Sequence, residues 1–237
     1  MSKLSVENVS YRYKHGDRMV LSGVSCAFEP GQVTAVVGPS GSGKTTLLSI
    51  LAGLDRPGGG SVTLDGEDLG KKDLDQYRRE NVSVIFQAFQ LFPLLSVMEN
   101  VCYPMEIRGM SQKETRERAG QFLNRVGIDE EKWRRYPANL SGGEQQRVAI
   151  ARSLASGARV LLADEPTGNL DGENSRNVVE LLSQLAHEDG YCVVIVTHDP
   201  AIADASDRVY RMADGAVTQE RGGGNCRPDL RRGRAAV

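Results

Sequence analysis

The residues with the clearest chemistry are Gly38-Pro39-Ser40-Gly41-Ser42-Gly43-Lys44-Thr45, at the spacing G-x-x-x-x-G-K-[ST]. Gly38, Gly41 and Gly43 let the backbone curl until several N–H groups face one anion. Lys44 reaches the β- and γ-phosphates of a nucleotide as a point charge, and the Thr45 hydroxyl serves as a Mg²⁺ ligand. Pro39, Ser40, Ser42 and Thr46 complete the wrap. The apolar run Val33-Thr34-Ala35-Val36-Val37 precedes the loop, and residues 46–52 continue it as a helix whose dipole adds to the same spot. A glycine-rich turn with an exposed lysine would need neither flank. The chain reads as a binder of a nucleoside triphosphate.

Further polar groups close other apolar runs, where α/β sheets gather their ligands. Asp164 and Glu165 follow Val160-Leu161-Leu162-Ala163, His198 ends the run from Cys192, and Gln87 follows Val82-Ser83-Val84-Ile85-Phe86. Asp164 is placed for the Mg²⁺ shell. Glu165, one residue on, points elsewhere and can polarise an attacking water as general base. Gln87 can reach the Mg²⁺ or its waters, and His198 can donate a hydrogen bond to the γ-phosphate. The plainer readings are a capped turn for the acidic pair, a surface glutamine, and a turn histidine before Pro200.

The elements that must position these groups alternate in type. Residues 4–11 and 24–28 alternate as strands, and Ser61-Val62-Thr63-Leu64-Asp65-Gly66 is a further strand with a turn, which predicts an antiparallel β layer. Tyr13, near a turn over 11–17, can stack on a flat base by its ring face; the alternative packs both Tyr11 and Tyr13 in the sheet. From Ala88 to about Gly157 the β pattern stops. Ser111 and Glu114 have capping-box spacing before an amphipathic helix closed by Gly127. Ser141 and Glu144 repeat that spacing before a second helix, and Gly142 and Gly143 leave its N–H groups open to an anion. One nucleotide has no need of this second anion site, but a neighbouring copy of the chain does.

Composition excludes several classes. The chain has 237 residues, 40% hydrophobic and 25% charged, with a net charge of −2. That suits a globular protein with a large core and gives no basic excess for nucleic acid. No apolar run approaches the roughly 18 residues of a membrane span, and the first residues lack a signal-peptide core. A cytoplasmic chain reaching the membrane through another protein is expected. Cys26, Cys102, Cys192 and Cys226 show no metal-ligand spacing; Cys26 and Cys192 read as core residues, Cys226 as a free thiol, and His15 and His187 as surface residues. Residues 221–237 read as a disordered basic tail, solvated or touching anionic lipid.

Over residues 4–220 these motifs resemble the nucleotide-binding subunit of an ATP-binding cassette (ABC) transporter. Leu140-Ser141-Gly142-Gly143-Glu144 matches the family signature, which is far more specific than the phosphate loop. The resemblance implies an α/β fold: a P-loop NTPase core with a mainly parallel sheet, an antiparallel β subdomain and an α-helical subdomain at about 88–158, in one domain over 1–220. It implies that Tyr13 stacks on adenine, and that Gln87, Lys44, Glu165 and His198 act in catalysis. Thr45, Gln87 and Asp164 would serve Mg²⁺. Asn169-Leu170-Asp171 matches the D-loop, which places Asp171 among the ATP contacts. Two copies would meet head to tail, so that Ser141, Gly142, Gly143 and Glu144 complete the partner's ATP site. A separate permease would hold the subunit at the cytoplasmic face of the membrane. The stretches Ala163-Asp164-Glu165-Pro166-Thr167-Gly168, Phe86-Gln87-Ala88-Phe89-Gln90-Leu91 and Glu99-Asn100-Val101 resemble the lipoprotein-release, macrolide-efflux and antimicrobial-peptide-resistance branch. Importer ATPases and cell-division-type switch proteins are the alternatives; ABC proteins of DNA or ribosomes usually carry two cassettes or a coiled-coil insertion.

Overall fold

The computed structural model describes residues 3–14 and 18–222. Along the chain come β1 (Leu4–Tyr11), β2 (Leu21–Phe28), β3 (Gln32–Val37), α1 (Lys44–Leu51), β4 (Gly59–Leu64), β5 (Glu67–Asp68), α2 (Leu74–Glu80) and β6 (Val82–Phe86). Three helices follow without an intervening strand: α3 (Val97–Ile107), α4 (Gln112–Arg125) and α5 (Gly142–Ala155). The chain then alternates through β7 (Val160–Asp164), α6 (Gly172–His187), β8 (Cys192–Thr197), α7 (Pro200–Ala205), β9 (Arg208–Ala213) and β10 (Ala216–Arg221).

The larger sheet has the order β10-β9-β3-β8-β7-β6, parallel throughout except for the last hairpin, β9 with β10. A smaller antiparallel sheet runs β2-β1-β4-β5. β8 buries every residue and β3 all but its first, as expected of parallel strands covered on both faces. The pleat sorts their side chains. Val33, Ile85, Leu161, Ala163, Val193 and Ile195 pack with α3 to α6 on one side. Val36, Val82, Val160, Leu162, Val194 and Val196 pack with α1 and the antiparallel sheet on the other. The phosphate-loop helix α1 and the signature helix α5 therefore belong to opposite layers.

The expected antiparallel layer is present. β10 extends through Arg221, so the break expected at 221 falls at least one residue later, and a bulge interrupts its pairing between Gln219 and Arg221. The rest of the tail, Cys226 and His15 lie outside the described residues. Ser111 caps α4 through the Glu114 N–H, but the glutamate answers the serine hydroxyl, not its backbone, which makes half a capping box. Ser141 and Glu144 form the full reciprocal box. Cys26 and Cys192 are buried core residues, with burial pushing both thiols up to about 12.

Leu162 is fully buried at the centre of β7. Leu162→Ala should cost about 2–5 kcal/mol in urea unfolding; a change below roughly 1 kcal/mol would show that this face is not close-packed.

Candidate functional site

Register brings the polar strand ends together. Val36, Val196, Asp164 and Phe86 are paired across β3, β8, β7 and β6. The chain leaves that row as Gly38, His198, Glu165 and Gln87 along one edge of the sheet.

The loop between β3 and α1 closes tightly. A Cβ on Gly38 would lie 2.1 Å from the Met212 carbonyl oxygen, so a side chain there collides with backbone. Gly43 caps α1 with φ 104°, a region that favours glycine. Lys44 is buried, and its ammonium donates to the carbonyls of Gly38 (2.7 Å) and Pro39 (3.0 Å). It thus sits inside the turn of the loop, while Pro39, Ser40, Gly41 and Thr45 are exposed. Ser42 is buried, and its hydroxyl has no hydrogen-bond partner among the described residues. The hydroxyls of Tyr13 and Thr46 lie 2.9 Å apart, which moors the half-exposed Tyr13 ring beside the loop. Tyr11 packs edge-on against Tyr13 and bonds Asp55.

Asp164 ends β7 half-buried. Burial, and then the charge of Glu165, hold its carboxyl above the usual range, with Lys44 pulling the other way. Lys44 is therefore close enough to be felt at this carboxylate. Glu165 has φ 47°, a left-handed backbone that a side chain disfavours. Three contacts hold it: its N–H donates to Val196, Thr197 Oγ1 donates to Oε2 at 3.1 Å, and His198 Nδ1 lies 2.8 Å from Oε1. An ionised carboxylate only accepts, so the imidazole proton belongs on Nδ1 in that pair, with Nε2 left outward. Sequence reasoning assigned Glu165 and His198 separately and missed Thr197. The signal for it was a threonine closing a fully apolar strand.

Gln87 departs from its expected direction. Its amide donates to Asn169 Oδ1 (3.2 Å), and Asn169 Nδ2 donates to its carbonyl (3.0 Å). Among the described residues no hydrogen bond joins Gln87 to Thr45 or Asp164. Asp171 is likewise engaged locally: both carboxylate oxygens accept from Asn174 as the N-cap of α6, which holds its carboxyl below the usual range. In the signature, Glu144 accepts from the Ser141 N–H and pairs with Lys132 at 3.0 Å. Burial works against its charge, yet these partners leave its carboxyl below the usual range. Among the described residues no hydrogen bond joins residues 141–144 to the phosphate loop.

The glycine at 143 has a packing reason that spacing did not reveal. A Cβ there would lie 2.1 Å from Asn174 Oδ1. A cleft of about 520 Å³ borders Gly38, Pro39 and His198 and is walled by Arg211, Glu220 and Arg221, but it takes in neither Lys44, Thr45 nor Asp164. No group of three His, Cys, Asp or Glu side chains among the described residues could hold a metal alone. Thr45 and Asp164 offer hard oxygens, which suit an ion that keeps its waters and takes its remaining ligands from phosphate.

Parallel strands, glycine loop and acidic strand end define an α/β phosphate-loop ATPase. The family model for ABC transporters matches residues 21–168. The chain belongs to the ABC transporter family as an ATP-binding, ATP-hydrolysing subunit. It is 45% identical over 215 residues to the lipoprotein-releasing system ATP-binding protein LolD 2 of Rhodopirellula baltica, covering 86% of this chain and 84% of that one. Against the macrolide export ATP-binding/permease protein MacB of Syntrophobacter fumaroxidans the identity is 42%, covering 94% of this chain but only 32% of MacB. The dimeric structure of the bacterial ABC transporter cassette MJ0796 superposes with a TM-score of 0.84 at 38% identity, covering 94% of this chain and all of the cassette. A second MJ0796 structure, a post-hydrolysis state bound to ADP and Pi, matches equally well.

Gly143→Ala should destabilise the chain by about 1–3 kcal/mol through overpacking. Asn174→Ala in the same chain should recover more than half of that loss in chemical unfolding; no recovery would exclude the Asn174 contact as the reason for the glycine.

Proposed function

We propose that this subunit powers a separate membrane permease of the export or extraction type, by ATP-driven closure of two copies head to tail. The observation that carries the reading is the division of the site. Loop, acidic pair and histidine share one sheet edge, whereas the signature turn opens a helix of the opposite layer. A second copy would bring Ser141, Gly142 and Gly143 to that edge.

Within such a pair the loop N–H groups and Lys44 hold the β- and γ-phosphates, and Tyr13 stacks on the base. Thr45 and Asp164 would hold Mg²⁺, which would offset charge on the transferred phosphoryl group. Glu165 takes the proton of the attacking water as it adds to the γ-phosphorus and the bond to ADP breaks. His198, oriented through Nδ1 by Glu165, offers its Nε2 side to the γ-phosphate. Gln87 must leave Asn169 to reach the ion or its waters.

The permease half of the reading is supported by an apolar surface. Leu94 and Ile107 are exposed, and the exposed Phe92 and Tyr103 line a groove of about 290 Å³ that also includes Arg152. A cytoplasmic segment of a membrane protein is the occupant that suits it, since no described helix is long and apolar enough to cross a membrane. On this reading the subunit works at the cytoplasmic face, bound through the permease. The LolD 2 and MacB likenesses support export or extraction; the cargo class is a lipoprotein, peptide or drug.

Affinity purification from membranes with Glu165→Gln as bait, in ATP and Mg²⁺, should recover a permease with a large external domain. A small multi-span permease with a solute-binding protein would overturn the export reading. The same variant should bind ATP, form a stable dimer and lose turnover by at least about 100-fold, the order expected for loss of a general base; turnover at the parental rate would remove Glu165 from that role. Ser141→Arg should abolish hydrolysis while leaving ATP binding by the single chain intact, as read by nucleotide titration. Loss of that binding would place Ser141 in its own chain's site.

A further inference from the structure

The segment between Gln87 and α3 is bent against the preference of its residues. Phe89 and Gln90 are consecutive side-chain-bearing residues in the left-handed region, with φ 58° and 51°. Such strain persists only where the surroundings over-determine it. The restraint comes from the signature helix. Arg152, on α5, donates from Nη1 to the Gln90 carbonyl at 2.7 Å and from Nη2 to the Phe89 carbonyl at 3.3 Å. Its guanidinium carbon also lies 5.5 Å from the centre of the Phe92 ring. Among the described residues Arg152 forms no ion pair, so these carbonyls and this ring are what its charge is set against.

Two neighbours complete the restraint. Gln146, fully buried on the same helix, donates to the Phe86 carbonyl at 3.5 Å. Asn100, fully buried on α3, accepts from the Phe92 N–H and donates to the carbonyls of Phe92, Leu95 and Ser96. The strained pair therefore lies between a segment fixed by α3 and a strand end fixed by α5. Local bonds from the Phe89 N–H to the Phe86 carbonyl (3.3 Å) and from the Gln90 N–H to the Ala88 carbonyl (2.6 Å) shape the bend. The Arg152 fork ties both of its carbonyls to α5.

We infer that Arg152 is a positioning residue that clamps the strained 89–90 turn to the helix opening at Ser141. The helix and the segment carrying Gln87 then move as one body. A planar fork reaching two carbonyls is a geometry that lysine cannot copy. If the fork is removed, residues 89 and 90 relax toward right-handed backbone and Gln87 loses its place at the end of β6. The inference rests on the proposed role of Gln87 in turnover, and its consequence is that a push on the apolar groove reaches the signature helix through the Arg152 fork.

The test is hydrogen exchange of the 87–96 amides beside steady-state ATP hydrolysis of the full chain. Arg152→Met should speed exchange there and lower kcat by about tenfold, the order expected when charge-assisted hydrogen bonds are lost, with KM for MgATP unchanged. Arg152→Lys should recover only part of both losses. Gln90→Gly removes the Cβ that resists the bend, so it should recover several-fold of kcat in the Arg152→Met background, where a simple packing role predicts additive losses. Unchanged exchange, a shift in KM with kcat intact, or additive losses would each overturn the clamp. Gln87→Ala is measured alongside. If it turns over at the parental rate, the role of Gln87 falls, and the exchange rates and their response to Gln90→Gly still decide the clamp.

Discussion

The site depends on one row of parallel pairing, from Val36 through Val196 and Asp164 to Phe86. Parallel hydrogen bonding keeps all strand ends on the same side, and both faces of the sheet are claimed by apolar packing. The polar residues that follow each strand have no direction left but outward along that edge. A one-residue slip would turn Leu161 and Leu162 to the wrong layers and move Glu165 away from Thr197 and His198. The core thus fixes the register, and the register brings the candidate catalytic groups together.

Most of this was legible in the sequence because it was local. Strand, glycine loop and helix were contiguous over residues 33–52, and each acidic or histidine tip followed its own apolar run. What stayed hidden lay between segments. No spacing rule could pair Gln87 with Asn169, 82 positions apart, or set Arg152 under the carbonyls of Phe89 and Gln90. The left-handed backbone at Glu165 was also invisible, because glutamate gives no sign of positive φ and the strain is held by contacts from β8.

The signature shows how one motif can satisfy two demands. Glycines at 142 and 143 suggested close approach of an anion, yet Gly143 is also the residue on which Asn174 rests. Asn174 is in turn held by Asp171, so the first turns of α5 and α6 are fitted to each other within a single chain. The surface proposed to meet a second copy is thereby rigid before that copy arrives, which lowers the entropy lost on association.

The β9–β10 hairpin at the far side of the sheet bears on colloidal behaviour. An edge strand offers unpaired backbone groups to any extended chain, and sheets that leave it flat and apolar aggregate. β10 is mostly exposed, carries the Arg211–Glu220 pair against β9, and is broken by its bulge near Arg221. The opposite edge strand, β6, is flanked on its two faces by α2 and α5. With its β10 rim charged and kinked, a crowded pool of these chains is less prone to fuse edge to edge along that side.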